Sequence, residues 1–436
     1  MIQIIAQLDA FEVFASPVAG RIMLVGALTN VACALVGCYL VLRRMSLMGD
    51  AIAHAVLPGL VLAFVFSGSL NIVPLFIGAA AVGLLTTFLT QTLHQYGRVP
   101  ADASMGVVFT SLFALGVVLL KRYITGIHFD VACVYEGSLS SAALDTLPLG
   151  GWDVPRQLIT VAPVVLLNIA VILLLWKELK ISSFDPELST AMGYSATAMH
   201  YLLMTLVAVT TVASFEAVGS ILVIAMLIVP PATAQLLSDR LARMVALACV
   251  FAVLSAVLGY WFAHHWDVAP AGAMTVAAGG MYALAVLFAP QYGILSTLLR
   301  NLQTSLRILR EDVLLMLYRL EELDATRRLA PREAIAAVGG GLLARWALWM
   351  LKHRGRVVER AGELHMTDDG RARAARLVSS HRLWEAYLHK HLGLPLDHVH
   401  ASADRLEHYT QQPLREELKK ALEDTQQDPH GREIPG

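Results

Sequence analysis

Charge is scarce in this chain. Asp, Glu, Lys and Arg make up 15% of its 436 residues, against about 25% in soluble domains. The formal net charge is −1, so no overall field favours nucleic acid or acidic partners. Cysteine is rarer still. Cys33, Cys38, Cys133 and Cys249 form no CxxC pair, and Cys33, Cys38 and Cys249 sit in apolar runs. They read as small buried hydrophobes rather than as a disulfide framework or a thiolate metal site. The sequence contains no GxxxxGK[ST] loop, so it has no phosphate cradle of that kind for ATP. No basic stretch with a following cleavage site opens the N-terminus, which predicts no removable signal peptide.

Apolar residues are abundant, at 56%, and unevenly placed. Residues 1–290 hold nearly all the excess, while 300–436 read like a soluble domain. About 20 consecutive apolar residues cross a bilayer. By that measure 22–42, 51–66, 72–93, 103–120, 159–176, 201–215, 217–237, 244–263 and 270–289 are candidate spans, about nine in all. The pair on either side of Glu216 is either two spans or one long, broken helix. The first 14 residues suit a short interfacial helix. Basic residues recur after alternate spans: Arg43 and Arg44, His94 to Arg98, Lys177 and Lys180, Arg240 and Arg243, then Arg300 onward. The positive-inside rule makes these loops cytoplasmic, with the N-terminus outside and the C-terminal domain inside. Lys121 and Arg122 run against that pattern.

Glu216 lies in an apolar run, 201–237, whose one other ionisable group is Tyr201. A carboxylate there costs roughly 2.5–3.5 kcal/mol on insertion scales, and such charges usually serve an ion or proton path. Asp50 and His54 are four residues apart and share one helix face. Oxygen and nitrogen donors together suit manganese, zinc or ferrous iron; alternatively, Asp50 caps a helix start. His128, Asp130 and Glu136 read as surface charges on a long loop. Pro230-Pro231 is expected to end or kink its span. Residues 184–194 read as a short cytoplasmic helix with a glycine stop, suited to docking a partner.

The soluble part begins with an amphipathic helix over 305–323. Pro331 opens a short helix, 337–341 turn, 342–353 form a second helix, and 355–366 alternate as a short hairpin. Thr367 caps a long helix to about 391, and 401–424 add two more. That order is a winged helix–turn–helix followed by a helical segment. His381 and Glu385 are four apart on the long helix. His400, Asp404, Glu407 and His408 follow closely, the last three sharing a face. Two His–carboxylate clusters in one small domain point to divalent-metal sites.

Ser46-Leu47-Met48-Gly49-Asp50-Ala51-Ile52-Ala53-His54 resembles the signature of ABC-importer permeases for manganese, zinc and iron. The segment 184–193 is similar to their ATPase-coupling stretch. Glu216-Ala217-Val218-Gly219 and the following 222–234 resemble their glutamate-bearing stretch. The resemblance covers about residues 10–290. It implies a permease that pairs with a second copy or a paralogue. It also implies a separate ATPase subunit and an extracytoplasmic metal-binding protein. Asp50, His54 and Glu216 become translocation-path ligands. Phe184, Asp185, Pro186, Glu187, Ala191 and Gly193 become the ATPase-coupling residues.

Residues 312–436 are similar to iron- and manganese-dependent repressors. The carrying residues are His381 to Glu385, Leu392-Gly393-Leu394-Pro395, Val399 to His408 and Asp428 to Gly436. The resemblance implies one metal site at His381, Glu385 and His400, and another at Asp312, Asp404, Glu407 and His408. Aspartate at 404 leans toward manganese or iron by ligand hardness. The departure is the reading helix. Residues 342–351 offer one arginine among apolar residues, whereas DNA readers need polar and basic side chains. DNA binding is therefore not expected, and that face suits packing against protein.

The expectation is an all-α polytopic membrane protein of the cell (inner) membrane with about eight or nine spans. It carries a cytoplasmic winged helix–turn–helix and a helical dimerisation and metal-binding domain. The expected domains are 1–295, 296–375 and 376–436. The expected function is a non-enzymatic permease subunit importing a divalent metal ion (Mn, Fe or Zn) in a lipid membrane, with a fused metal sensor that slows transport. The alternatives are a membrane-anchored metal-dependent regulator, a permease for a metal chelate, or a C-terminal domain that only dimerises the permease.

Overall fold

The computed structural model describes residues 16–68, 72–123, 139–142, 144–149, 152–324, 327–423 and 426–435. The first 14 residues, Cys133, His128, Asp130 and Glu136 lie outside them. The chain divides into two compact units, Met1–Ser296 and Thr297–Gly436.

The first unit is helical. Its elements are α1 (Pro17–Leu42), α2 (Met48–Ala55), α3 (Leu57–Ser67), α4 (Ile72–Gly97), α5 (Ala101–Tyr123) and the short α6 (Leu139–Ala142). A small hairpin, β1 (Thr146–Leu149) and β2 (Trp152–Pro155), follows. Then come α7 (Arg156–Leu174), α8 (Trp176–Phe184), α9 (Pro186–Ala191), α10 (Ala196–Leu237), α11 (Leu241–Trp266) and α12 (Pro270–Phe288). Nine stretches among the described residues are long and apolar enough to cross a membrane. The hairpin pairs Leu149 with Trp152 and Thr146 with Pro155; strands of four residues are too short to stand out from a loop by alternation alone.

Burial ranks the spans. The most apolar window of α1 is 72% buried and that of α5 only 22%, so α1 is the central post and α5 faces outward. Tyr39, Leu40, Ile52, Leu203, Met226 and Met274 form the core around it. Polar side chains tie α1 to its neighbours. Asn168 donates to the Ala32 carbonyl at 3.3 Å and to Thr210 at 2.9 Å. Asn30 donates to the Ala252 carbonyl at 3.3 Å and to Ser255 at 3.2 Å. Inside a bilayer such bonds and close backbone contact replace the hydrophobic drive. Gly37 provides the contact: a Cβ there would sit 2.1 Å from the Leu227 carbonyl oxygen.

The 42 residues of α10 would reach about 63 Å if straight, at about 1.5 Å per residue, roughly twice a bilayer core. The helix instead breaks at Gly219 (φ 76°, ψ 168°), a conformation open to glycine and strained for other residues. His200 lines a cavity with Arg43, and Leu236 lines another with Leu42. Both ends of α10 therefore reach the C-terminal end of α1, and the chain turns back at Gly219. Pro230 and Pro231 do not end their span; the helix runs on to Leu237, and the reversal comes three residues after Glu216.

The second unit is built on α13 (Ile294–Leu323), which begins just before the boundary. α14 (Pro331–Ala337) and α15 (Gly341–His353) form the helix–turn–helix, and β3 (Val357–Arg360) with β4 (Glu363–Met366) form the wing. Three consecutive glycines, Gly339 to Gly341, hold positive φ between the helices. Val313, Leu314 and Leu317 pack with Leu348, Leu351, Val357 and Leu364. Thr367 caps α16 (Asp368–Leu392) by accepting from the Gly370 amide at 3.3 Å. α17 (Leu396–Glu407) and α18 (Gln412–Ala421) complete the unit. Position 375 falls inside α16.

Candidate metal sites

In the first unit, Asp50 is the third residue of α2, and the N-cap position belongs to Leu47 without a side-chain cap bond. Asp50 is thus free of capping duty. Its Oδ1 lies 3.3 Å from His54 Nε2, and both side chains are about one-third exposed. Phe109 and Phe113 of α5 stand against the imidazole, each at 6.0 Å between ring centres. α2 packs on α10, α5 and α4. Glu216 lies in α10, and its side chain is outside the described ones. One turn of helix thus offers an oxygen and a nitrogen donor beside an aromatic wall.

The segment after α8 is locally determined. Asp185 caps α9 by accepting from the Leu188 amide at 2.9 Å, and Pro186 follows at the first position. Gly193 ends the turn with φ 89°. Arg43 donates to Ser182 at 2.9 Å and Ser183 at 3.1 Å, fixing the end of α8 to the end of α1. Glu187 and Ala191 are exposed. Phe184, Leu188 and Met192 are 50–59% exposed. Leu188 and Met192, absent from the coupling residues expected above, make this short element apolar outward.

The second unit gathers its ligands around His381. On one side, His381 Nε2 lies 3.1 Å from Glu385 Oε1 and 3.0 Å from His400 Nδ1, and His400 lies 2.9 Å from Glu385. On the other, His381 Nδ1 lies 2.7 Å from Glu407 Oε2 and 3.5 Å from Asp404 Oδ1. Either triad could hold an ion. His381 Nδ1 and Glu407 Oε2 are buried without a well-directed hydrogen bond, which fits a position made for a ligand. A neutral imidazole has one lone pair, so His381 can serve one of the two triads at a time.

Asp312 Oδ1 is 3.3 Å and Glu407 Oε1 3.7 Å from His408 Nε2. Asp404 faces His381 instead, yet lines the same cavity of about 870 Å³ as Asp312, Glu407 and His408. A second cavity, about 360 Å³, opens on His381, Glu385 and His400. Glu311 completes the picture. It accepts from His408 Nδ1 at 2.9 Å and from Arg373 at 2.7 Å, as outer partners of metal-binding imidazoles do.

Electrostatics follow from this packing. Burial disfavours a charged His381, but the Glu385 and Glu407 carboxylates outweigh it and raise its pKa to about 9. His408 is likewise opposed by burial and raised to about 10 by Asp312 and Glu311. Burial would raise Glu385, yet His381 and His400 bring it down to about 2. Without metal, protons hold these clusters together; a metal must displace them.

A helical membrane unit with this signature and a capped α9 defines an ABC-type permease. Residues 17–289 match the ABC 3 transport family, and the chain belongs to it. It is 47% identical over 282 residues to the manganese transport system membrane protein MntD of Bacillus subtilis, covering 64% of this chain and 95% of that one. It is 39% identical to the zinc transport system membrane protein TroD of Treponema pallidum, covering 63% and 75%. Among solved structures it is similar to PsaBC from Streptococcus pneumoniae in complex with Fab, at 30% identity and a TM-score of 0.55, covering 64% and 95%. Residues 367–436 match the metal binding and dimerisation domain of iron dependent repressors.

Proposed function

We propose that the chain is the permease subunit of an ATP-driven importer of manganese, iron or zinc ions. The observation that carries this reading is the Asp50–His54 pair, 3.3 Å apart on one helix face, inside the ABC 3 transport family fold. Bare divalent ions exchange hydration oxygens for such donors, whereas a bulky chelate would need a wider, less charged passage. Asp50, His54 and Glu216 form the translocation path under alternating access. An extracytoplasmic binding protein delivers the ion. Two permease chains, identical or paralogous, flank the path. A separate ATPase subunit docks on residues 184–194, where the exposed Phe184, Leu188 and Met192 supply an apolar contact.

The second unit is read as cytoplasmic and as a sensor of the imported metal. His381, Glu385 and His400 form one site, and Asp312, Asp404, Glu407 and His408 the other. Filling them slows uptake through linkage between the sites. It is not read as a DNA binder, because α15 exposes Leu342, Trp346 and Trp349 where base-reading groups would be needed.

The test is uptake of each ion by the complex reconstituted with its ATPase and binding protein. Glu216→Gln is expected to insert normally and abolish uptake. Full uptake by that variant would remove Glu216 from the path. ATP hydrolysis stimulated by none of the three ions would reject the import reading.

A further inference from the structure

α15 is apolar on two sides, and only one is covered. Ala344, Ala347, Leu348 and Leu351 are buried on the winged-helix core. Leu342, Trp346, Trp349 and His353 recur at steps of four, three and four and so form a second stripe. Leu342 is 81% exposed, Trp346 43% and Trp349 56%. The Trp349 and His353 rings stack at 5.2 Å. A contiguous apolar stripe of this kind marks an interaction surface.

Three observations select the occupant. The first is charge. Residues 327–376 hold eleven Lys or Arg and five Asp or Glu, a net +6 in a chain of net −1. Arg345 flanks the stripe on α15 itself; Arg332, Arg345, Arg354 and Arg360 are exposed and form no ion pair among the described residues. The second is side-chain type. Tryptophan favours the bilayer–water interface, with its ring among acyl chains and its N–H in water. The third is connectivity. The last span ends at Phe288 and α13 starts at Ile294, with Ile294, Leu295, Leu298 and Leu299 all 44–59% exposed. A unit joined this closely to a span cannot leave the membrane, so a lipid surface is always within reach.

We propose that the Leu342–Trp346–Trp349 face of α15, flanked by Arg345, docks on an anionic lipid bilayer. The helix position used by DNA readers thus becomes a shallow interfacial anchor. Headgroup phosphates meet the arginines, and the two indoles enter the interface. This rests on the topological reading only for which leaflet is touched. Nanodiscs with the same lipid in both leaflets test the contact on either side.

The experiment uses the full chain carrying Leu342→Cys, a position exposed enough to leave the fold alone. A water-soluble maleimide is added, and labelling of the residue 342 peptide is followed by mass spectrometry. Nanodiscs contain phosphatidylcholine alone or a mixture with phosphatidylglycerol. Labelling is expected to be about tenfold slower in the anionic discs, because each basic residue near the surface adds to the attraction. Adding 1 M salt, where the screening length falls to about 3 Å, or Arg345→Glu, restores fast labelling. Equal protection in both lipids would mean that protein covers α15 and would overturn the proposal. Equally fast labelling in both would overturn it too. Protection of residue 342 by duplex DNA in neutral discs would favour nucleic acid instead and count against the bilayer.

Discussion

Asp50 and His54 in the membrane unit and His381 and Glu385 in the second unit share one design: a carboxylate and an imidazole four residues apart on a helix, at 3.3 and 3.1 Å. Their surroundings differ. The membrane pair is about one-third exposed and walled by two phenylalanines. The second pair is almost fully buried, and His400 and Glu407 close on the same imidazole. Helical spacing supplies a pair of donors; tertiary packing decides how completely they surround an ion. The path proposed for Asp50 and His54 must release its ion in every cycle, so an open, incomplete shell suits it. The sensor proposed for the second unit must hold its ion long enough to bias a conformation, so a closed shell with outer supports suits it.

The sharpest way to break this comparison is to remove proposed ligands from each region in turn. His54→Ala is expected to lower uptake by about 10–100-fold or more, in line with other losses at metal sites, while metal titration of the second unit is unchanged. Glu407→Ala with His408→Ala is expected to do the reverse. It removes metal binding at the Asp312, Asp404, Glu407 and His408 site, keeps uptake at low internal metal, and sustains uptake at high internal metal where the unaltered chain slows. Equal slowing of both chains would reject the sensor role.

Much of this was legible from residue order. The apolar runs, the signature around Asp50, and the spacing of His381, Glu385, His400 and Glu407 are local patterns, and the structure contains elements to match. What was not legible depended on chain reversals and on contacts between distant segments. Pro230-Pro231 drew attention as a helix breaker, yet the reversal falls at Gly219, where one backbone conformation decides it. The β1–β2 hairpin has only four-residue strands, below the length at which alternation speaks. Glu311 was missed because an acidic residue on a charged helix looks solvated. Its position carried a signal nonetheless: Leu314, Leu315 and Tyr318 follow at three, four and seven residues, so Glu311 sits on the apolar face of α13.

Glu311 gives the middle-sized test. It touches His408 and Arg373 rather than any ion position assigned above. Glu311→Gln keeps the shape but weakens the hold on the His408 ring. Affinity for manganese at the Asp312, Asp404, Glu407 and His408 site is expected to fall about tenfold, as for other outer partners, with the His381, Glu385 and His400 site unaffected. An unchanged affinity would make Glu311 a support of the fold alone.

The smallest expected effect is a pH dependence of the second unit, and its sign depends on whether metal is bound. In the metal-free chain His381 and His408 are raised to about 9 and about 10. Their contribution to stability is complete below an ordinary histidine pKa, about 6.5, and is lost as pH rises through the raised values. Glu385, lowered to about 2, contributes above an ordinary glutamate pKa, about 4.3, and its share is lost as pH falls toward 2. The second unit without metal should therefore be most stable between about pH 4.3 and 6.5. Hydrogen exchange in α16 and α17 should then quicken from pH 6.5 to 9, beyond the intrinsic rise with pH. Saturating manganese reverses the trend, because the ion takes the place of protons that are easier to remove at higher pH. If α16 loses protection with pH equally with and without manganese, the buried histidines are a structural ion-pair network, and the contrast between a path and a sensor falls with them.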